Sequence, residues 1–223
     1  PGHSSAASDV YKRQFSYNRG KVLGFEELEK LDSYGRYLDS DNDGICYRTY
    51  PGTHPEKGAY FTRGTSHDEY ARYTEDGNIN AETLMRLMRK FRTASELVPP
   101  PIIEINGEDS CGIIYYGSSK PAVLEAKDIL KTKDINVDLM QIRSFPFNLD
   151  VWEFIASHDR IYVVEQNRDS QMRTLIMAEG GISAEILRPL VHFTGDPIEA
   201  SYIVNKISER EVNYKSHKNI KER

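Results

Sequence analysis

The chain has 223 residues, 29 Lys and Arg against 34 Asp and Glu, a formal net charge of −5 and 39% hydrophobic residues, a balance that reads as soluble and globular. That length suits one domain with appendages and a real core, while the acidic balance argues against a general nucleic-acid binder and the short apolar stretches leave no transmembrane helix. Two cysteines, Cys46 and Cys111, make neither a disulfide framework nor a zinc or iron–sulfur ligand set, and a reducing, cytoplasmic compartment is the simplest home.

In chain order, Pro1 to Gln14 shows no initiator Met, no apolar core of a signal peptide and no structural period. It reads as translated adapter or vector sequence, with genuine sequence from Phe15 and the chain as a C-terminal fragment. Glu26 to Leu31 suits a short helix with acids in its first turn, where the helix dipole favours them. Asp39-Ser-Asp41-Asn-Asp43-Gly44 matches the first half of a calcium loop. The closing acid is missing, because that position is Tyr50, so an Asx-rich turn competes with Asp39, Asp41 and Asp43 as metal ligands.

Asp43 to His67 carries two prolines and four glycines and fits neither strand alternation nor the helical repeat. A long loop inside a compact protein is more often functional than incidental. Its Arg48, Thr49, Thr53, His54, Lys57, Thr62, Arg63, Thr65 and His67 suit an oxyanion, which Arg grips with two parallel hydrogen bonds. Ser66-His67-Asp68 is not a triad, since triads are assembled from residues distant in sequence.

Asn80 opens a helix with Leu84, Leu87, Met88 and Phe91 on one face and Arg86, Arg89, Lys90 and Arg92 on the other, read as a solvated basic face or a partner surface. Val98 to Pro101 ends it and marks a domain boundary. Beyond it, strands are expected at Cys111–Gly117, Ile135–Ile142, Arg160–Glu165 and Ile186–Phe193. Helices are expected from Ser118–Ser119, over Leu149–Ser157, over about Asp169–Met177, and from Pro197 to about Glu209. This alternation predicts an α/β fold with a mostly parallel sheet flanked by helices. Glu165 to Gln171 lies at the carboxyl edge of that sheet, where open parallel sheets place ligands or partners. Capping of the next helix by Asn167 and Asp169 and a subunit contact remain equal alternatives there. Asn213 to Arg223 reads as a basic, frayed tail.

The stretch DGICYRTYPGTHPEKGAYFTRGTSHDEYARYTED resembles the alpha subunit of 2-oxoacid:ferredoxin oxidoreductases, especially the 2-oxoglutarate type. RGKVLGFEELEKL, SYGRYLDSD, GIIYYGSS, IRSFPF and YVVEQNRDSQMRTLI are similar too, in the same order from Phe15 to about Ser208. Cys46 is a departure, since proline is common before that Tyr-Arg-Thr. The resemblance implies the last part of a pyrimidine-side domain over 15–100, a transketolase C-terminal-like domain over 101–210, and a basic tail over 211–223. It implies a thiamine-diphosphate enzyme that decarboxylates a 2-oxoacid, joins the acyl group to coenzyme A and passes electrons to ferredoxin. Thiamine diphosphate, magnesium and the iron–sulfur cluster would sit mainly on a beta subunit, leaving the fragment inactive alone. Arg48 and Thr49 would grip the substrate carboxylate. Arg63 and Thr65 would take a distal carboxylate or hold the loop at the subunit interface. His67, Glu165, Asn167, Arg168 and Asp169 would face the partner. Another transketolase-like thiamine enzyme, or a non-catalytic interaction or calcium-binding module, is the competing reading.

Overall fold

The computed structural model describes residues 18–61, 66–107 and 111–221, so the reading of Pro1 to Gln14 lies outside the described residues. The chain divides into two compact units, one ending at Thr93 and one beginning at Ala94.

The first unit is mostly loop around α1 (Phe25–Glu29) and the greater part of α2 (Gly77–Leu97), whose last four residues fall in the second. The Glu27 carboxylate turns back to accept the Gly24 N–H at 2.9 Å, half of a capping box, which lets five residues form a helix at all. Leu28, fully buried, is what α1 contributes to packing. Helix α2 starts ahead of Asn80, because the Asp76 carboxylate accepts the Asn78 N–H at 2.8 Å and takes over the capping role. Its supposed core face is bare: Leu84, Met88 and Phe91 are all more than half exposed.

The second unit is a three-layer α/β domain. Its elements are β1 (Ile102–Glu104), β2 (Cys111–Tyr115), α3 (Lys120–Lys131), β3 (Val137–Gln141), α4 (Leu149–Ala156), β4 (Ile161–Glu165), α5 (Gln171–Gly180), β5 (Leu187–Val191) and α6 (Ala200–Lys221). The sheet order is β1-β3-β2-β4-β5, parallel except for β1, which runs antiparallel to β3. Strand β1 has no counterpart in the sequence reading, since three residues after a proline run carry no periodic signal. All five residues of β2 and of β4 are buried, as a sheet covered on both faces requires. Ile113 and Val164 point to the layer of α3 and α6, whereas Ile114 and Val163 point to that of α4 and α5. Gly112, midway along this sheet, leaves room for the opposite layer. A Cβ there would sit 3.1 Å from the Phe154 ring and 3.3 Å from that of His158.

Pro189 lies inside β5, paired opposite Val163, and is tolerated because β5 is an edge strand with no second neighbour. Helix α6 runs past Glu209 into the stretch expected to fray. The cause is Glu211, whose buried carboxylate accepts the Arg160 Nε at 2.8 Å and the Tyr162 hydroxyl at 2.8 Å. The Arg160 guanidinium also lies 4.3 Å from the Tyr214 ring centroid, so the turn of α6 from Glu211 to Tyr214 is held to the sheet.

Candidate functional site

In the first unit, the acidic turn is neutralised by the protein's own cations. Lys21 Nζ bridges Asp41 at 2.5 Å and Asp43 at 2.7 Å. Partial burial opposes the Lys21 charge, yet the hydrogen bonds to Asp41 and Asp43 outweigh it and hold the ammonium above its ordinary pKa. Both carboxyls are in turn held below the ordinary aspartate value, chiefly by that lysine. Asp39 accepts the Gly44 N–H at 2.9 Å on one oxygen and Arg89 NH2 at 3.0 Å on the other. Of the two alternatives for Asp39, Asp41 and Asp43, this geometry fits the Asx-rich turn: their oxygens already serve Lys21, Arg89 and the turn's backbone, and no metal-holding group of three acids, His or Cys occurs among the described residues.

The solvated-face reading of α2 changes for the same reason. Arg86 NH1 donates to the Gly44 carbonyl at 3.1 Å and Thr93 Oγ1 to that of Asp43 at 2.6 Å, so Arg86, Arg89 and Thr93 form the face that meets the turn. Gly44 has φ +79°, and a Cβ on it would come 2.2 Å from the Lys90 backbone nitrogen, so only glycine admits this contact.

The long loop uses its cations on its own backbone. His54 accepts the Glu56 and Lys57 N–H groups on Nδ1, at 3.0 and 2.9 Å, and meets Glu29 through Nε2 at 2.6 Å. The tautomer that fits therefore carries its proton on Nε2. Lys57 Nζ donates to the carbonyls of Leu28, Glu29 and Leu31, closing the C-terminal end of α1. Thr49, 5% exposed, donates its hydroxyl to the Gly58 carbonyl, and Thr53 donates to that of Tyr50. Arg48 NH2 donates to the Arg19 carbonyl at 2.7 Å, with the guanidinium over the Tyr50 ring. Thr49 thus faces inward, which removes it from direct substrate contact in this conformation. Arg63 and Thr65 lie outside the described residues.

Beside the loop opens a groove of about 640 Å³, lined by Tyr37, Glu69, Tyr70, Arg72, Glu82 and Arg86 among others. Nothing in the sequence marks it, because its walls come from three separate stretches, around Tyr37, Asp68 to Arg72 and Ile79 to Arg89, that contacts such as Tyr37 N–H to the Glu69 carbonyl and Asp39 to Arg89 bring together. His67 stacks at 3.9 Å on Tyr37, one of the groove's lining residues. The Asp68 carboxylate accepts the Tyr70 and Arg72 N–H groups, so Ser66-His67-Asp68 forms no relay.

In the second unit, the direction of the chain through the sheet reverses between β2 and β4, and the carboxyl ends there define a crevice. Glu165, fully buried, accepts the Met172 N–H at 2.8 Å and the Arg173 N–H at 2.9 Å, capping α5 from the end of β4. It also orients the Asn167 amide at 2.7 Å. Asn167 Oδ1 accepts the Asp169 and Gln171 N–H groups, while Gln166 donates to Ser118 at 3.0 Å and Ser119 at 3.2 Å across the crevice. The cap is therefore shared by Glu165 and Asn167. Asp169 pairs instead with its neighbour Arg168, both side chains being more than half exposed. Large apolar side chains are bare at the same carboxyl edge, with Phe145 43%, Leu149 67% and Phe193 61% exposed. His158 lies within hydrogen-bond reach of both Ser157, at 3.0 Å, and Asp138, at 3.2 Å. His158 and Asp138 are buried and Ser157 also donates to Phe154 O, so this cluster locks the end of α4 rather than attacking a substrate. Burial pushes the Cys111 thiol up to about 12 and raises that of Cys46, which leaves neither poised as a thiolate.

Glu165→Ala is expected to destabilise the second unit by about 2–4 kcal/mol in urea unfolding, because two buried N–H groups lose their partner at roughly 1–3 kcal/mol each. Arg168→Ala, on the exposed pair, is expected to stay within about 0.5 kcal/mol. In the loop, the His54 hydrogen bond holds Glu29 below its ordinary 4.5, so its contribution is present above that value and lost as pH falls through the folded-state value. The melting difference between the native chain and Glu29→Gln should therefore be level from pH 7 to about 5 and shrink below about 4.5. A difference that does not change with pH would contradict the clamp.

No family model matches the chain. It is 27% identical over 215 residues to 2-oxoacid:ferredoxin oxidoreductase 2, subunit alpha, of Aeropyrum pernix, covering 92% of this chain and 32% of that protein. It is 28% identical over 124 residues to the 2-oxoacid:ferredoxin oxidoreductase subunit alpha of Saccharolobus solfataricus, covering 53% of this chain and 20% of that one. The chain thus spans about a third or less of the length of the curated relatives it matches. In fold it is similar, with a TM-score of 0.75 at 22% identity, to the 2-oxoglutarate:ferredoxin oxidoreductase from Magnetococcus marinus with 2-oxoglutarate, coenzyme A and succinyl-CoA bound, over 88% of this chain and 33% of that one. The expected α/β architecture holds, and over 92% of its length the chain is similar to an alpha subunit of a 2-oxoacid:ferredoxin oxidoreductase, as the resemblance implied.

Proposed function

We propose that the chain is part of the alpha subunit of a thiamine-diphosphate-dependent oxidoreductase. The enzyme decarboxylates 2-oxoglutarate or a related 2-oxoacid, forms the acyl-CoA and passes electrons to ferredoxin in the cytoplasm. The observation that carries this reading is the match to an alpha subunit along 92% of the chain. The fold neighbour adds support, since that protein holds 2-oxoglutarate and coenzyme A. No helix among the described residues is long and apolar enough to cross a membrane.

This chain's residues do not fit an iron–sulfur cluster: Cys46 and Cys111 are two thiols where four are needed, and Cys111 is fully buried in β2. The cluster, like thiamine diphosphate with its magnesium, is assigned to a beta subunit, and the isolated chain is expected to be inactive. What the chain supplies is positioning. Arg48 is the proposed grip on the substrate carboxylate: its NH2 is tied to the Arg19 carbonyl, and no partner for its Nε or NH1 occurs among the described residues. Tethered in this way, the fork is pre-oriented. Arg63 and Thr65 are proposed for a distal carboxylate. The carboxyl edge of the sheet, with His67 of the loop, is proposed to meet the beta subunit, a role supported by the bare Phe145, Leu149 and Phe193 and the exposed Arg168–Asp169 pair. Glu165 and Asn167 hold that edge in shape.

In the assembled enzyme, Arg48→Lys keeps the charge and loses the planar fork. A charge-assisted contact of about 1.5–3 kcal/mol predicts roughly a ten-fold to hundred-fold or greater fall in kcat/KM for 2-oxoglutarate, with the melting temperature little changed. An equal loss for every 2-oxoacid together with a lower melting temperature would mean that Arg48 only fastens the Arg19 backbone. Unchanged kinetics for Arg48→Ala would remove the grip altogether.

A further inference from the structure

Helix α2 is amphipathic in the reverse of the usual sense. At about 100° per residue, Arg86, Arg89 and Thr93 lie together on one side and Leu84, Leu87, Met88 and Phe91 on the side opposite. The polar side is the one the unit uses: Arg89 binds Asp39, Arg86 the Gly44 carbonyl and Thr93 that of Asp43. The apolar side is left in water, with Leu84 54%, Leu87 36%, Met88 55% and Phe91 51% exposed. Four large apolar side chains in one stripe along about two turns are not the scattered surface leucines of an ordinary monomer. The acidic turn fixes the helix's rotation, so the stripe cannot turn inward without breaking the Asp39–Arg89 pair and two backbone contacts.

We propose that this stripe is a docking surface for the polypeptide that alpha-subunit relatives carry beyond the region matched here, a partner presenting an apolar face with an acidic rim. Two observations select that occupant. The 215-residue match accounts for only 32% of the Aeropyrum pernix subunit, so the relatives bring about twice as much further chain to the same protein. The exposed Lys90 flanks the stripe, and no acid lies between Leu84 and Phe91, so an acidic rim complements this face better than a second copy of it would. The inference rests on the alpha-subunit reading above, but it is read out by mass rather than by activity.

The test is co-expression of this chain, tagged, with a separate polypeptide comprising the part of the Aeropyrum pernix alpha subunit outside the match. The native chain should retain that polypeptide through size exclusion. L87D/F91D should lose it while keeping the native melting curve and far-UV signal, because the stripe is bare in the isolated unit. Retention by L87D/F91D as strong as by the native chain would overturn the proposal, as would no retention by the native chain. A native chain that is dimeric by sedimentation and becomes monomeric in L87D/F91D would also overturn it, by assigning the stripe to a second copy. Activity of the enzyme could fail on Arg48 grounds with docking intact, or the reverse, so the two readings fail separately.

Discussion

A backbone amide or carbonyl taken out of water must find a partner, and in both units of this chain charged side chains are the partners that matter. The loop from Asp43 to His67 has no ladder of its own among the described residues. His54 therefore accepts two of its amides, Thr49 binds the Gly58 carbonyl, and Lys57 gathers three carbonyls at the end of α1. In the sheet domain the same task falls to Glu165, which ends β4 and begins α5 with one buried carboxylate. Removing such a group costs more than the contact itself, since the freed N–H or C=O stays buried and unpaired.

This constraint reassigns much of the loop's chemistry. The density of cations and hydroxyls that suggests an anion site is largely the means by which a loop without regular structure holds a single conformation. What remains for a substrate is narrower: the free edge of Arg48 among the described residues, and a groove beside His67. A fixed loop is also what carboxylate recognition needs, because a guanidinium already tied at one nitrogen loses less freedom when the other edge is occupied.

The sheet domain was legible in the sequence to within a few residues from β2 through β5, because strands buried on both faces and helices with Pro or Asx starts carry strong local signals, whereas α6 runs some twelve residues beyond its expected end at Glu209. Strand β1 was not, being three residues long and defined only by its pairing with β3. Helix α2 was found, but its faces were read in reverse. Periodicity reports which residues share a side; the position of Asp39 and Asp43, some fifty residues away, determines which side is inward. At the calcium-like turn the cation that neutralises Asp41 and Asp43 is Lys21, which precedes the motif and is no part of it, so the sequence pattern alone could not single out the Asx-turn alternative. Glu165 was noted as a sheet-edge residue, yet its capping role escaped the usual pattern, because the cap reaches α5 from seven residues upstream.

The central claim is that this chain can serve as its share of a 2-oxoacid:ferredoxin oxidoreductase alpha subunit. The most direct measurement replaces the matched 32% of the Aeropyrum pernix alpha subunit with this chain, adds that enzyme's beta subunit, and follows ferredoxin reduction. Reduction that requires both a 2-oxoacid and coenzyme A is the result expected. A hybrid that assembles with the beta subunit, by mass, and yet reduces no ferredoxin with any 2-oxoacid would contradict it.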